Sequence, residues 1–142
     1  MCGEIDEQVL VGQDLMEHLR VIARTLDLPE DVPEGGAPRD LAEAEGRAAY
    51  MEATFRAGLA RAMGDIARAE EGEQVDALAG QAIALARLAG FLAGQLPPEA
   101  DLFRATIEAL TTGHSEPREM AQEVMRHQHE HHHHDHHHHH EH

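Results

Sequence analysis

Between Val75 and Leu96 the apolar residues Val75, Leu78, Ala82, Leu85, Ala89, Leu92 and Leu96 recur at alternating steps of three and four. A strand repeats every two residues, so it cannot place these side chains on one face. A helix gathers them into a single coiled-coil-like seam. The spacing predicts a helix from Gln74 to Leu96. Ile83, Leu88 and Phe91 add a second apolar side, which makes the helix central or shared with a partner chain. Ala86, Gly90 and Gly94, four apart, leave room for a close neighbouring backbone.

The same period runs through most of the chain. Val11, Leu15, Leu19, Ile22 and Leu26 mark a first helix over about Ile5 to Asp27. Residues 28–39 hold three prolines and two glycines and read as a loop. Asp40, with Glu43 three residues on, resembles a capping box. A second helix is expected from there to about Glu71, with Ala44, Ala48, Met51, Phe55, Leu59, Ala62 and Ile66 on one face. Gly72 is its expected stop. After Pro97-Pro98 a fourth helix, with Leu102, Phe103, Thr106, Ile107 and Leu110 on its face, should end at Thr112-Gly113. Ser115 then fits the cap of a short last helix with Pro117 in its first turn, docked through Met120 and Val124. His114 falls in the intervening loop.

These elements predict an all-α fold, a small bundle of four main helices plus a short C-terminal helix. With aromatics at only 3% of residues and much of the apolar content alanine, its core should be small-residue helix packing. Residues 1–126 form the expected domain. Residues 127–142 form a separate, disordered tail.

That tail reads HQHEHHHHDHHHHHEH, and twelve of its sixteen residues are histidine. Each imidazole carries a donor and an acceptor that need partners, so a packed core cannot absorb twelve in a row. Neutral imidazole is the commonest protein ligand for nickel, zinc, cobalt and copper. The candidate metal ligands are His127, His129, His131, His132, His133, His134, His136, His137, His138, His139, His140 and His142. At about four ligands per closed site, the tail offers enough for roughly three ions. Glu130, Asp135 and Glu141 add oxygen ligands and offset cation charge. Engineered tags are usually uninterrupted hexahistidine. Here Gln128, Glu130, Asp135 and Glu141 interrupt the run, which grows out of a helical pattern at Glu119 to Arg126, and a native metal-binding tail is the reading carried forward. The alternatives are a purification tag and, beyond that, a solubilising or pH-sensing tail that binds no metal.

The tail resembles those of histidine-rich nickel accessory proteins, among them urease and hydrogenase nickel chaperones and carbon monoxide dehydrogenase accessory proteins. The resemblance is one of composition and covers residues 127–142. It implies storage or delivery of Ni²⁺, with Zn²⁺ or Co²⁺ as alternatives, and it carries over no residue of the helical part.

Composition narrows the remaining classes. The formal charge is −16, opposite in sign to the basic face a nucleic-acid binder needs and unsuited to anionic membranes. Lysine is absent, which removes Schiff-base chemistry and the phosphate-binding loop. Ser115 is the only serine and lies in no strand-turn-helix context. Before residue 127 neither His-Glu-x-x-His nor the Glu-x-x-His of di-iron bundles occurs; both spacings fall only inside the histidine run, at His129, Glu130 and His133. A non-enzymatic protein is expected. Two clustered glutamates, Glu70 and Glu71, lack the second acidic pair of nucleotide pyrophosphatases and read as a solvated turn.

Cys2 is the only cysteine, so no disulfide framework arises. Cys2, His18 and His114 are the remaining possible ligands. No signal peptide is recognisable and no run of about 18 consecutive apolar residues occurs, so a cytoplasmic protein without membrane insertion is expected. The leading expectation is a metallochaperone or metal reservoir whose helical domain docks on a client enzyme, a transporter or a second copy of itself. The alternatives are a helical interaction subunit in which the tail only buffers metal, and an enzyme whose site assembles at an oligomer interface.

Overall fold

The computed structural model describes the backbone of residues 3–29 and 37–134, and the side chains of residues 12–29 and 37–130. Helix is the only regular secondary structure among these residues, with no strand. Four α-helices follow one another: α1 (Gly3–Thr25), α2 (Ala44–Arg68), α3 (Gln74–Ala93) and α4 (Leu102–His134), with a short 3-10 turn, Pro98–Ala100, before the last. The protein is all-α, as the periodicity requires. Backbone proximity divides it into two units, Met1–Ile83 and Ala84–His142, with the division inside α3.

In the first unit, α1 ends in a left-handed residue. Asp27 has φ 50°, the Leu28 N–H reaches the Ala23 carbonyl at 2.9 Å, and the Asp27 N–H reaches Arg24 at 3.3 Å. These two bonds are the Schellman pattern, built on aspartate where glycine is commoner. Leu15, Leu19, Ile22 and Ala23 are half-buried and trace one face of α1. Of the expected apolar stripe, Val11 lies outside the residues with described side chains.

The entry to α2 differs from expectation. Asp40 does not cap the helix. It sits at φ 55°, and its carbonyl accepts the Glu43 N–H at 3.0 Å, which uses Asp40 to form a turn three residues upstream of the helix. Glu43 occupies the cap position without a side-chain hydrogen bond. The stray carbonyls of the turn are taken up instead by Arg47, whose Nη1 donates to Leu41 and to Ala42, each at 3.0 Å. The turn presses on Gly46, where an added Cβ would run into the Asp40 carbonyl. Glycine is required there by space.

The α2–α3 connection is tight. α2 stops at Arg68, three residues short of the expected Glu71, and Gly72 adopts φ 93° in the turn. Ala62, Gly64, Asp65, Ile66 and Ala69 on one side, and Ala77 and Gln81 on the other, are half-buried near this turn. Gln81 Nε2 donates to Asp65 Oδ2 at 2.9 Å and ties α3 to α2. Arg68 holds the other oxygen of Asp65.

In the second unit, α3 ends at Ala93, and Leu96 lies in the following turn. Pro98 opens a 3-10 turn rather than the expected helix. Asp101 closes the turn at φ 55°. α4 then runs 33 residues without a break. The expected stop at Gly113, the cap at Ser115 and the separate C-terminal helix do not occur, and His114 is an exposed residue within α4 rather than in a loop. Position 126–127, where the composition changes, lies within this helix.

Burial is sparse. Among the described residues only Ala93 is fully buried, and large apolar side chains on every helix, such as Met51, Phe55, Leu78, Leu85, Phe103 and Leu110, remain exposed. Among the described residues α3 is also the one helix long and apolar enough, by length and composition, to cross a membrane. Asp76, Gln81 and Arg87 interrupt it.

Two glycines of α2 make opposite predictions. Gly58 has open space around it, so Gly58→Ala should stabilise by about 1 kcal/mol through helix propensity. Gly46→Ala makes the same gain but must displace backbone, a cost of about 1–3 kcal/mol for an overpacked site. Thermal melts followed by circular dichroism should show a higher midpoint for Gly58→Ala and a lower one for Gly46→Ala.

Candidate metal centre

The candidate ligands are carried by the far end of α4, and the helix reaches them across a weak stretch. Thr111, Thr112, Gly113, Ser115 and Pro117 are poor helix formers. Pro117 has no N–H, so the Gly113 carbonyl loses its donor four residues on. The hydroxyls of this stretch fold back on the helix. Thr111 Oγ1 donates to Ile107 at 3.0 Å, Thr112 Oγ1 to Glu108 at 3.0 Å and Ser115 Oγ to Thr112 at 2.9 Å. Such bonds supply a second donor to carbonyls on that side of the helix. The serine and threonine side chains here bond to the helix they lie in and start no new one. Beyond Pro117 the residues Glu119 to Arg126 are mostly good helix formers, and the helix passes into the histidines.

The tail thus enters as helix. His127–His134 are the last eight residues of α4, where the expectation was a disordered segment. Residues 135–142, with His136, His137, His138, His139, His140 and His142, lie outside the described residues. Within the helix, positions 127 and 131 are one turn apart, as are 129 and 133. Positions 129 and 132, and 131 and 134, are three apart. Residues at these spacings are neighbours on a helix surface, with β-carbons about 5–6 Å apart. His-x-x-x-His is the spacing by which a helix presents two imidazoles to one ion, as in the zinc protease motif.

His127 and Glu130 show how the register works. Their side chains lie on one side of α4, with His127 Nδ1 3.8 Å from Glu130 Oε2, and both are largely exposed. A carboxylate beside an imidazole serves either as a second ligand or as the acceptor that orients the ring. Among the described residues, no three side chains of histidine, cysteine, aspartate or glutamate converge on one point. His18 is exposed on α1 and His114 on α4. Cys2 lies outside the described residues. The helical part of the chain therefore supplies the tail with a backbone register and contributes no assembled ligand cluster among those residues.

Comparison with known proteins found no matching family model, no matching curated protein and no matching solved structure.

The weak stretch governs how firmly α4 holds its last turns. An added Cβ at Gly113 meets nothing within 4 Å. Gly113→Ala should strengthen α4 by about 1 kcal/mol. Amide hydrogen exchange should slow on both sides of position 113, from Leu110 to Met120. Unchanged exchange at residues 118–120 would mean that α4 is already held firmly across Pro117.

Proposed function

We propose that this protein is a metal-binding accessory protein, a metallochaperone or reservoir for Ni²⁺, with Zn²⁺ or Co²⁺ as the other candidate ions. The observation that carries the reading is the density of imidazole at the C-terminal end, twelve residues in sixteen, together with the continuity of α4 into its first half. In the helical half, imidazoles one turn apart offer two-point capture. The tail as a whole holds more imidazoles than any one ion uses, so ligands can be exchanged one at a time. That property suits handing an ion to a client. Ligands must be deprotonated to bind metal, so protons compete with the ion for the same nitrogens.

The role proposed is non-catalytic and cytoplasmic, with the helical part as the docking element for a client metalloenzyme, a transporter or a second copy of the chain. The exposed apolar faces of α2, α3 and α4 favour docking over an isolated reservoir. They equally suit the alternative of a helical interaction subunit in which the tail only buffers metal.

Truncation after Arg126 tests the assignment. It removes twelve of fourteen histidines and eight of the 33 residues of α4. Ni²⁺ titration by calorimetry should show the multi-ion binding of the full chain reduced to at most weak residual uptake. The helical circular dichroism signal should fall only by the small share the removed residues contribute. Full stoichiometry retained by the truncated chain would place the ligands elsewhere and end this reading.

A further inference from the structure

The seam of α3 is an apolar strip that its own chain leaves largely uncovered. Val75 is 78% exposed, Leu78 57%, Leu85 48% and Leu92 53%. Ala82 is exposed and Ala89 half-buried between them. The one buried residue, Ala93, closes the strip at its C-terminal end. The two charged residues of α3, Asp76 and Arg87, lie about half a turn round the helix from the strip at 3.6 residues per turn. The side that carries Ala77 and Gln81, half-buried near the α2 turn, flanks it. The strip itself is free of charge, on a chain whose net charge is −16. Charge depletion at an apolar centre is the composition of an interface core.

The order of sizes along the strip says what covers it. Written as a heptad, one seam position holds Val75, Ala82 and Ala89, and the other holds Leu78, Leu85 and Leu92. In a parallel pair like faces like, so layers of Val against Val or Ala against Ala would alternate with layers of Leu against Leu, and no single helix separation suits both. In an antiparallel pair each position faces the other kind. Val75 of one chain then faces Leu92 of the other, Leu78 faces Ala89, and Ala82 faces Leu85. Every layer now has one small or β-branched residue and one leucine, and a uniform helix separation fills them all. The two-fold axis of that arrangement falls between Ile83 and Ala84, the midpoint of Gln74–Ala93. The strip is self-complementary, as an isologous contact must be.

We infer that α3 is a dimerisation element that pairs antiparallel with α3 of a second copy through the Val75–Leu92 seam. Each strip is about 25 Å long, and two such faces bury on the order of 1,000 Å² in total, the lower bound of a specific interface. The dimer is therefore a concentration-dependent one. It rests on the proposed function only in that it would place two histidine-rich ends in one assembly. The pairing itself needs no metal.

The test uses the full chain with Cys2→Ser, in EDTA so that the tail cannot bridge copies through metal. Sedimentation velocity across a concentration series should show monomer passing into dimer. Two further variants then carry either Val75→Cys or Leu92→Cys, each checked for unchanged helical circular dichroism. Under mild oxidation a mixture of the two should form the mixed disulfide. Each alone should form at least tenfold less dimer, because like positions are about 25 Å apart in the antiparallel pair and a disulfide needs α-carbons within about 7 Å. Cross-linking of Val75→Cys to itself would mean a parallel pair and overturn the inference. A chain monomeric at every concentration and giving no mixed disulfide would overturn it. So would flotation with phosphatidylcholine vesicles in place of dimer formation, which would make α3 a membrane helix.

Discussion

The local backbone hydrogen-bond ladder, rather than burial, is what defines each described helix. Four α-helices satisfy their own N–H and C=O groups, and their ends are closed by backbone turns at Asp27, Asp40, Gly72 and Asp101. A core contributes little, since Ala93 alone is fully buried among the described residues. Ordering a residue costs roughly 1–2 kcal/mol of conformational entropy, and isolated helices are marginal in water. A chain built this way leaves its apolar faces available, the seam of α3 among them. The ion pairs do little to alter it. Arg56 with Glu52 and Arg104 with Glu108 are exposed pairs one turn apart, of a kind worth only tenths of a kcal/mol.

Much of this was legible in the sequence, because helical periodicity is a local signal. α1 and α3 fall within three residues of their expected bounds; of the loop expected over residues 28–39, residues 30–36 lie outside the described residues. What was misread were the joints. Asp40 followed by Glu43 has the letters of a capping box, yet Asp40 is left-handed and turns the chain before the helix begins. Nothing in the letters reveals this, because a cap and a turn favour the same residues. Gly113, Ser115 and Pro117 read as a stop and a restart, yet α4 passes through all three. The signal that favours continuity is weaker and spread out. Threonine and serine hydroxyls can bond back to their own helix, and good helix formers flank the weak stretch on both sides.

The candidate metal centre was legible as composition. Its geometry was not, since composition does not say whether histidines sit on a helix or a coil. The continuity of α4 to His134 turns half the run from an unordered set of imidazoles into positions with fixed spacing, 127 with 131 and 129 with 133. Helical register favours two-point capture, and the surplus of ligands beyond it favours exchange. Both properties suit the proposed role of taking up an ion and giving it away, and neither requires a closed coordination shell from the rest of the chain.

The central claim is that imidazoles of the C-terminal run are the ligands. X-ray absorption at the nickel edge, on the full chain loaded with two equivalents of Ni²⁺, tests it directly. The account predicts a first shell of nitrogen and oxygen with the outer-shell scattering of three or more imidazoles per ion. His18 and His114, the only other histidines, cannot supply that many. A sulfur scatterer from Cys2, or a shell of carboxylate oxygens with no imidazole outer shell, would contradict it.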